Sequence, residues 1–384
     1  MNKTHYACRF LQHNAFFVMV LFGKQKFLLE VTEKKEYITC SKIKKEYTSM
    51  NKVRVMIAGF GNVGRGVMAS IANNPDMELV GIASRSPERV KKELGETVPV
   101  VALADVENWS KEIAPDVVIL CGGSKSDLPQ QGPALCKYVN TVDSFDNHSR
   151  IPEYFKAMDD SAGDAGHVAV ISTGWDPGIF SLERVLGNSF IPGARAYGFY
   201  GMGPSGGLSM GHSDALRTIK GVKDARQFTH AIPAAVDQAR KGENPQFTPG
   251  DMHSRECFVV LEEGADPAEV TKAIVEMPGY FEPYDTTVNF ISQEELDANY
   301  KGFPHDGVVI TAGTTGDKEK HPALAEYRCV WGSNPEATAN VLVAHARAAA
   351  RLAAEGCSGA FTILDIPASY FSTLSREELL KNWM

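Results

Sequence analysis

Residues 53–71, "VRVMIAGFGNVGRGVMASI", run apolar from Val53 to Ala58, break at glycines, and resume with Val63, Val67 and Ile71 at four-residue spacing. That pattern predicts a strand, a glycine turn and an amphipathic helix. The same rhythm continues through "ELVGIA" (78–83), "VPVV" (98–101), "DVVILC" (116–121), "VNTVD" (139–143) and "HVAVIS" (167–172). Together these runs predict an α/β fold over residues 50–174: a Rossmann-type, doubly wound, mostly parallel sheet.

From about residue 190 the pattern changes. Strand-like runs at "RAYGFYGMG", "ARQFTHAI", "ECFVVLEEG", "TTVNFI", "GVVITAG" and "EYRCVW" follow with few helices between them. This predicts an α+β domain over 175–359, built on a mixed or antiparallel sheet. Asp266-Pro267 opens a helix that Pro278 closes, and Ser292 with Glu295 has the spacing of a capping box. "SNPEATANVLVAHARAAARLAAEG" reads as a long helix with Asn334 as cap, Pro335 at its first position and Gly356 at its end. The tail, "FTILDIP" followed by Ser375 and Glu378, predicts a strand and a helix, so residues 360–384 would complete the first domain, with crossings near 175 and 360.

Composition changes this picture only at the edges. With 43% hydrophobic and 22% charged residues the 384-residue chain has a globular profile. Its seven cysteines are scattered, odd in number and lack a C-x-x-C pair, so neither a disulfide framework nor a metal site is expected and a reducing cytoplasm fits. No apolar run approaches the roughly 18 residues of a membrane span. A formal charge of −8 disfavours a nucleic-acid partner and points to a small molecule. The first 49 residues differ, with nine Lys/Arg against four Asp/Glu. "NAFFVMVLF" resembles the core of a signal peptide, but Lys-rich sequence and no small-residue cleavage pattern follow it. The reading is that the fold begins at Met50 and residues 1–49 are an upstream extension.

Gly59, Gly61 and Gly64 fit G-x-G-x-x-G between a strand and a helix, with Phe60, Asn62 and Val63 between them. In that setting the glycines permit a tight turn and a close approach to a pyrophosphate, and the helix N-terminus faces its charge. Glycine turns also arise for plain packing reasons; the following strand at the βαβ distance favours the dinucleotide. At the end of that strand an NAD enzyme places an acid on the ribose. Ser84, Arg85 and Ser86 stand there instead, and a guanidinium beside hydroxyls suits the 2′-phosphate of NADP. A solvated surface arginine is the plainer alternative.

In such sheets ligands bind beyond the carboxyl ends of the strands. There stand "CGGSKSD", "VDSFDNH" and "STGWDPG", all polar turns, the first and last of them glycine-bearing. The last places a large apolar side chain, Trp175, next to a carboxylate, Asp176, although Asp176 could simply be a helix cap before Pro177 and Asp146 in "SFDNH" a turn residue.

"GFGNVG", "STGWDPG", "GHSDALR", "FPHDG" and "SNP", in this order, resemble the meso-diaminopimelate D-dehydrogenase family from Met50 to the C-terminus. The resemblance implies a homodimer of NADP-binding, substrate-binding and dimerisation regions. It implies oxidative deamination of the D-centre of meso-2,6-diaminopimelate to L-2-amino-6-oxopimelate and ammonia, in lysine and cell-wall precursor metabolism. It implies that Asp146 and Asp176 face the D-ammonium, with Trp175, Tyr200, Met210 and Gly211 around the substrate. Arg255, Thr229, His305 and Asn334 would bind the distant L-end, and Cys121, Gly122, Gly123 and Ser124 would line the cofactor. The proton acceptor stays open among Asp146, Asp176, a water they hold, and His212.

Three departures from the family pattern stand out. About three extra residues occur in "FYGMGPSGGLSM", where Tyr200 replaces a usual tryptophan, and Ser86 replaces a frequent second arginine. Other readings of the chain are a different NAD(P)-linked amino-acid or semialdehyde dehydrogenase, or a cofactor-binding protein without turnover.

Overall fold

The computed structural model describes residues 52–384, together with a short antiparallel pair, Leu21–Phe22 (β1) and Gln25–Lys26 (β2). Met50, "NAFFVMVLF" and the extension read over residues 1–49 otherwise lie outside the described residues. From residue 53 strands and helices alternate: Val53–Ala58 (β3), Asn62–Ala72 (α1), Met77–Ser84 (β4), Pro87–Leu94 (α2), Val100–Ala102 (β5) and Val106–Glu112 (α3). Val117–Leu120 (β6), Leu128–Leu135 (α4), Thr141–Asp143 (β7), Ile151–Ala165 (α5) and Val168–Val170 (β8) complete the run.

The rhythm then breaks. Ile179–Phe190 (α6), Arg195–Tyr200 (β9), Gly207–Leu208 (β10), Met210–Leu216 (α7), Val222–Ala231 (β11), Pro233–Arg240 (α8) and Pro249–Met252 (α9) follow. After them come His253–Leu261 (β12), Pro267–Val275 (α10), Asp285–Phe290 (β13), Gln293–Asn299 (α11), His305–Thr315 (β14) and His321–Trp331 (β15). Asn334–Ala354 (α12), Gly359–Phe361 (β16) and Arg376–Trp383 (α13) end the chain.

Strands β3 to β8 and β16 form one parallel sheet in the order β16-β8-β7-β6-β3-β4-β5. All four residues of β6 are buried, as a sheet covered on both faces requires. On one face Val55, Ile57, Val117 and Ile119 pack with Leu342, Val343 and Ala346 of α12. On the other, Met56, Val118 and Leu120 pack with Trp109, Leu128 and Met158. The return of the chain to the first sheet is therefore made by two elements, α12 against its face and β16 at its edge.

The second half holds two sheets, where the sequence predicts one. A mixed sheet has the order β10-β11-β12-β13, with β12 and β13 parallel, and an antiparallel one has the order β15-β14-β9. The crossover through α10 makes β13 parallel, since antiparallel neighbours need only a hairpin whereas parallel ones need a crossover. Gly201 joins the sheets: its N–H donates to Asp306 and its carbonyl accepts from Ala231, at φ 67°, in a place where a Cβ would collide with the Thr229 carbonyl. Asp266 caps α10 and the Ser375/Glu378 box closes in both directions, but α10 ends at Val275, before Pro278. At Ser292 the hydroxyl accepts the Glu295 N–H.

Candidate active site

The first strand and helix build one cleft. Gly59 has φ 98°, and a Cβ on Gly64 would collide with the Gly59 carbonyl oxygen, so the turn is closed to side chains there. No side chain caps α1 at Gly61, which leaves the first-turn N–H groups of Asn62 and Val63 pointing out of the helix. A cavity of about 480 Å³ lies beyond this turn, and Gly59, Phe60, Gly61, Ser84, Arg85 and Cys121 are among its walls. Gly122 also lines it. Arg89 and Asp127 do so too, and sequence reasoning missed both. Arg85 donates to the Asp127 carboxylate at 3.0 and 3.4 Å, an ion pair whose arginine side chain is 71% exposed. Burial pushes the Cys121 thiol up to about 12, which keeps it protonated near pH 7. Open backbone at a helix start, beside hydroxyls and cations, fits a dinucleotide phosphate chain.

Gly123 and Ser124 tie this cleft to the next strand end. The Gly123 N–H donates to Asp127, and Ser124 Oγ accepts the Asp146 N–H at 3.1 Å. Asp146 is exposed, and its carboxylate has no hydrogen-bond or ion-pair partner among the described residues. Just before it, Asp143 is fully buried. Its carboxylate accepts from Phe145 N–H, Ser172 N–H and the Tyr154 hydroxyl, and its carbonyl accepts from Thr173. Asp143 thus clasps the "SFDNH" turn to the "STGWDPG" turn. Burial pushes its carboxyl up to about 6, against the lowering effect of those donors. Sequence reasoning passed over Asp143, which it placed only at the end of the strand run "VNTVD".

Asp176 is not a helix cap. Helix α6 starts at Ile179 behind Gly178, and the Asp176 carboxylate instead receives both Nη groups of Arg184 at 2.8 and 2.7 Å. The Tyr200 hydroxyl donates to the same carboxylate and accepts from Arg184. Burial, and then the Asp176 charge, raise the Tyr200 hydroxyl above its ordinary range and hold it protonated. Arg184, eight residues beyond Asp176 on a helix, gave no sequence signal.

Trp175 joins this pair to the second half. Its indole N–H donates to Asn334 Oδ1 at 3.0 Å, and its ring meets His305 edge-on at 4.6 Å and Tyr200 at 5.8 Å. Asn334 is therefore not a side-chain cap: α12 begins with it behind Ser333, and its amide is spent on Trp175 and, at 3.5 Å, on the Leu208 carbonyl. Gly207 in the lengthened loop forms β10, and a Cβ there would occupy the His305 ring. The loop glycines thus let backbone lie against that imidazole.

Arg255 and Thr229 are cross-strand partners in the register of β11 and β12, so their contact follows from the sheet. An Arg255 Nη donates to Thr229 Oγ1, and the guanidinium lies 4.0 Å from the Tyr284 ring centre. The side chain is buried, its Nε has no hydrogen-bond partner, and no carboxylate forms an ion pair with it among the described residues. A buried cation in this state is costly unless an anion joins it.

Its field is visible on three buried imidazoles. Burial first, then the Arg255 charge, pulls His212 and His253 down to about 3. Burial pulls His305 down to about 4, with Asp306 opposing. All three are neutral near pH 7. His253 and Gln227 are further residues that sequence reasoning missed; His253 accepts the Tyr200 N–H, and Gln227 donates to Thr229 at 3.4 Å. The available signal was alternation, since they stand two before Arg255 and two before Thr229 on the same strand faces. Met210 and Gly211 open α7, half-buried and exposed, and the His212 that follows is held by Ser209 at 2.8 Å. Among the described residues no group of three His, Cys, Asp or Glu is placed to hold a metal, and no helix is long and apolar enough to cross a membrane.

A profile of the diaminopimelic acid dehydrogenase C-terminal domain matches residues 174–331. Meso-diaminopimelate D-dehydrogenase of Ureibacillus thermosphaericus is 50% identical over 333 residues, covering 86% of this chain and 99% of that protein. Corynebacterium glutamicum DAP dehydrogenase, solved in complex with DAP, is 41% identical with a TM-score of 0.80, over 87% of this chain and 100% of that one. An engineered D-amino acid dehydrogenase bound to NADP+ is 39% identical with a TM-score of 0.78, over the same shares. By identity across nearly the whole length of these relatives, this chain belongs to the meso-diaminopimelate D-dehydrogenase family.

Proposed function

We propose that this protein catalyses the reversible, NADP-dependent oxidative deamination of the D-centre of meso-2,6-diaminopimelate, giving L-2-amino-6-oxopimelate and ammonia. The observation that carries the reading is Arg255, a buried guanidinium with an unpartnered Nε and no ion-pairing carboxylate among the described residues. A substrate carboxylate meets that need, and a planar fork can bind it through two parallel bonds. In this reading Thr229, which already bonds Arg255, His305 and Asn334 serve this end as hydroxyl, imidazole and amide, with Met210 and Gly211 beside them at the start of α7.

At the D-end, Asp146 and Asp176 are the two carboxylates for the ammonium, and Trp175 and Tyr200 wall the carbon chain. Asp146 is the better proton acceptor, because both oxygens of Asp176 are already bonded to Arg184. His212 is disfavoured, since a group held near 3 takes up few protons at neutral pH. Gly59, Gly61 and Gly64 with the α1 N-terminus would hold the pyrophosphate of NADP, Ser84 and Arg85 its 2′-phosphate, and Cys121 to Ser124 would flank its path. When bound, NADP supplies the hydride acceptor. Loss of a proton and a hydride from the D-carbon and its amine leaves an imine, which water converts to the ketone with release of ammonia.

In the same reading the cofactor domain, expected over residues 50–174 and 360–384, also takes in α12, which packs on its sheet, so the chain returns near residue 334 and the substrate and dimerisation domain, expected over 175–359, ends there. A homodimer is supported by the edge strand β15, which exposes Leu324, Tyr327 and Val330. A reducing cytoplasm is supported by five free cysteines among the described residues. The test is NADP reduction with meso-, LL- and DD-diaminopimelate. The meso isomer should be turned over fastest and the LL isomer, which lacks a D-centre, not at all. Equal rates for meso and LL, or faster turnover of a monocarboxylic amino acid, would defeat the reading.

A further inference from the structure

Positive charge in the cofactor cleft is not spread evenly. Arg85 is already engaged by Asp127, at 3.0 and 3.4 Å, and Asp127 also accepts the Gly123 N–H. To an incoming anion that pair is close to neutral. The next position, Ser86, carries no charge. Arg89 lies one turn further along α2 and lines the same cavity as Ser84, Arg85 and Ser86. Side chains on a helix lean toward its N-terminus, which brings a first-turn arginine back over the helix start.

Arg89 is exposed and little committed. One Nη lies 3.5 Å from the Phe60 carbonyl, and no carboxylate is within ion-pair distance of it among the described residues. Of the two acids on this helix, Glu93, one turn on, is taken by Arg65 through two bonds of 2.8 Å, and Glu88 is taken by Lys91 at 3.0 Å. The Ser86 side chain makes no cap bond, so the first N–H groups of α2 open toward the same place.

We propose that Arg89 is the second cation of the 2′-phosphate subsite and the residue that makes this cleft prefer a 2′-phosphorylated nucleotide, while Arg85 is shared between the phosphate and Asp127. The inference rests on the NADP reading above. A phosphate monoester carries about −1.5 to −2 charge near neutral pH. Arg85 in its pair with Asp127 balances only part of that charge, and Arg89 supplies the rest. A bare 2′-hydroxyl offers Arg89 no charge to meet. Its contribution is therefore to discrimination and not to nucleotide binding in general.

The test is calorimetric titration of the full-length protein with adenosine 2′,5′-bisphosphate and with AMP, which differ only in the 2′-phosphate. Arg89→Ala should weaken the bisphosphate about tenfold and leave AMP within about twofold, and Arg89→Lys should retain most of the preference, because the contact is one charge-assisted bond. An unchanged bisphosphate affinity in Arg89→Ala, or an equal loss for both nucleotides, overturns the assignment alone. A wild-type protein without preference for the bisphosphate over AMP overturns the cofactor reading, and the Arg89 assignment with it.

Discussion

In the cofactor cleft the working groups are backbone N–H donors and exposed cations, most of them supplied by the stretch from Gly59 to Arg89. In the Arg255 cluster they are buried side chains drawn from distant elements, such as Trp175 and Asn334, which are bonded across 159 residues of sequence. The first kind of site is open to solvent, and water screens each of its charges. The second has a buried cation, three imidazoles held neutral and a carboxylate paired in the interior. Removing a group should therefore cost far more in the second region than in the first.

The largest expected effect is at Arg255. Arg255→Met should lower kcat/KM for meso-diaminopimelate by about 2 to 4 kcal/mol of transition-state binding, roughly 30- to 1000-fold, read from steady-state kinetics. Arg255→Lys should recover little, because an ammonium cannot offer two parallel donors. A near-normal kcat/KM in Arg255→Met would erase the contrast between the regions.

Next comes the pair beside Trp175. Asp176 has a side chain only 3% exposed, and Arg184→Met would leave it buried without its cation. Urea unfolding should show a loss of about 2 to 4 kcal/mol, and the double variant with Asp176→Asn should regain part of it. Equal stability of wild type and Arg184→Met would show the pair to be as weak as a surface bridge.

A third expectation concerns pH. The folded Asp143 carboxyl is raised to about 6, above its ordinary unfolded value near 4, so the folded state holds the proton more tightly. Its contribution to stability is complete below about pH 4 and is lost as pH rises toward 6, by about 1 to 3 kcal/mol. Unfolding free energies across that window should fall more steeply in the wild type than in Asp143→Asn. Parallel slopes would remove Asp143 from the account.

The same contrast explains what the sequence could show. The cofactor turn was legible because its physics is local: three glycines, a strand before them and a helix after. Thr229 and Arg255 could be named only through resemblance, although their pairing is a plain consequence of register. Arg184 and Asp143 were not legible at all, because a buried partner depends on which surfaces meet and leaves no mark in spacing. Asn334 was read as a cap for the same reason. The local motif predicts a side-chain bond to the helix start, and Trp175, arriving from the other end of the fold, takes that amide instead. The second sheet was missed because strand runs do not state their partners.

The smallest effect should be at Arg85. Its side chain is 71% exposed and already satisfied by Asp127, so an arriving phosphate gains the difference between two salt bridges and not a whole one. Arg85→Ala should raise the Michaelis constant for NADP by about tenfold at most, and that for NAD by less. Asp127→Asn is the sharper variant, because it frees Arg85 without removing a cation. It should lower the Michaelis constant for NADP by a few-fold, roughly the worth of one exposed ion pair, and leave NAD unchanged. If Asp127→Asn instead weakens NADP, Asp127 is holding Arg85 in its binding position, and the exposed cleft is as dependent on a fixed partner as the buried one.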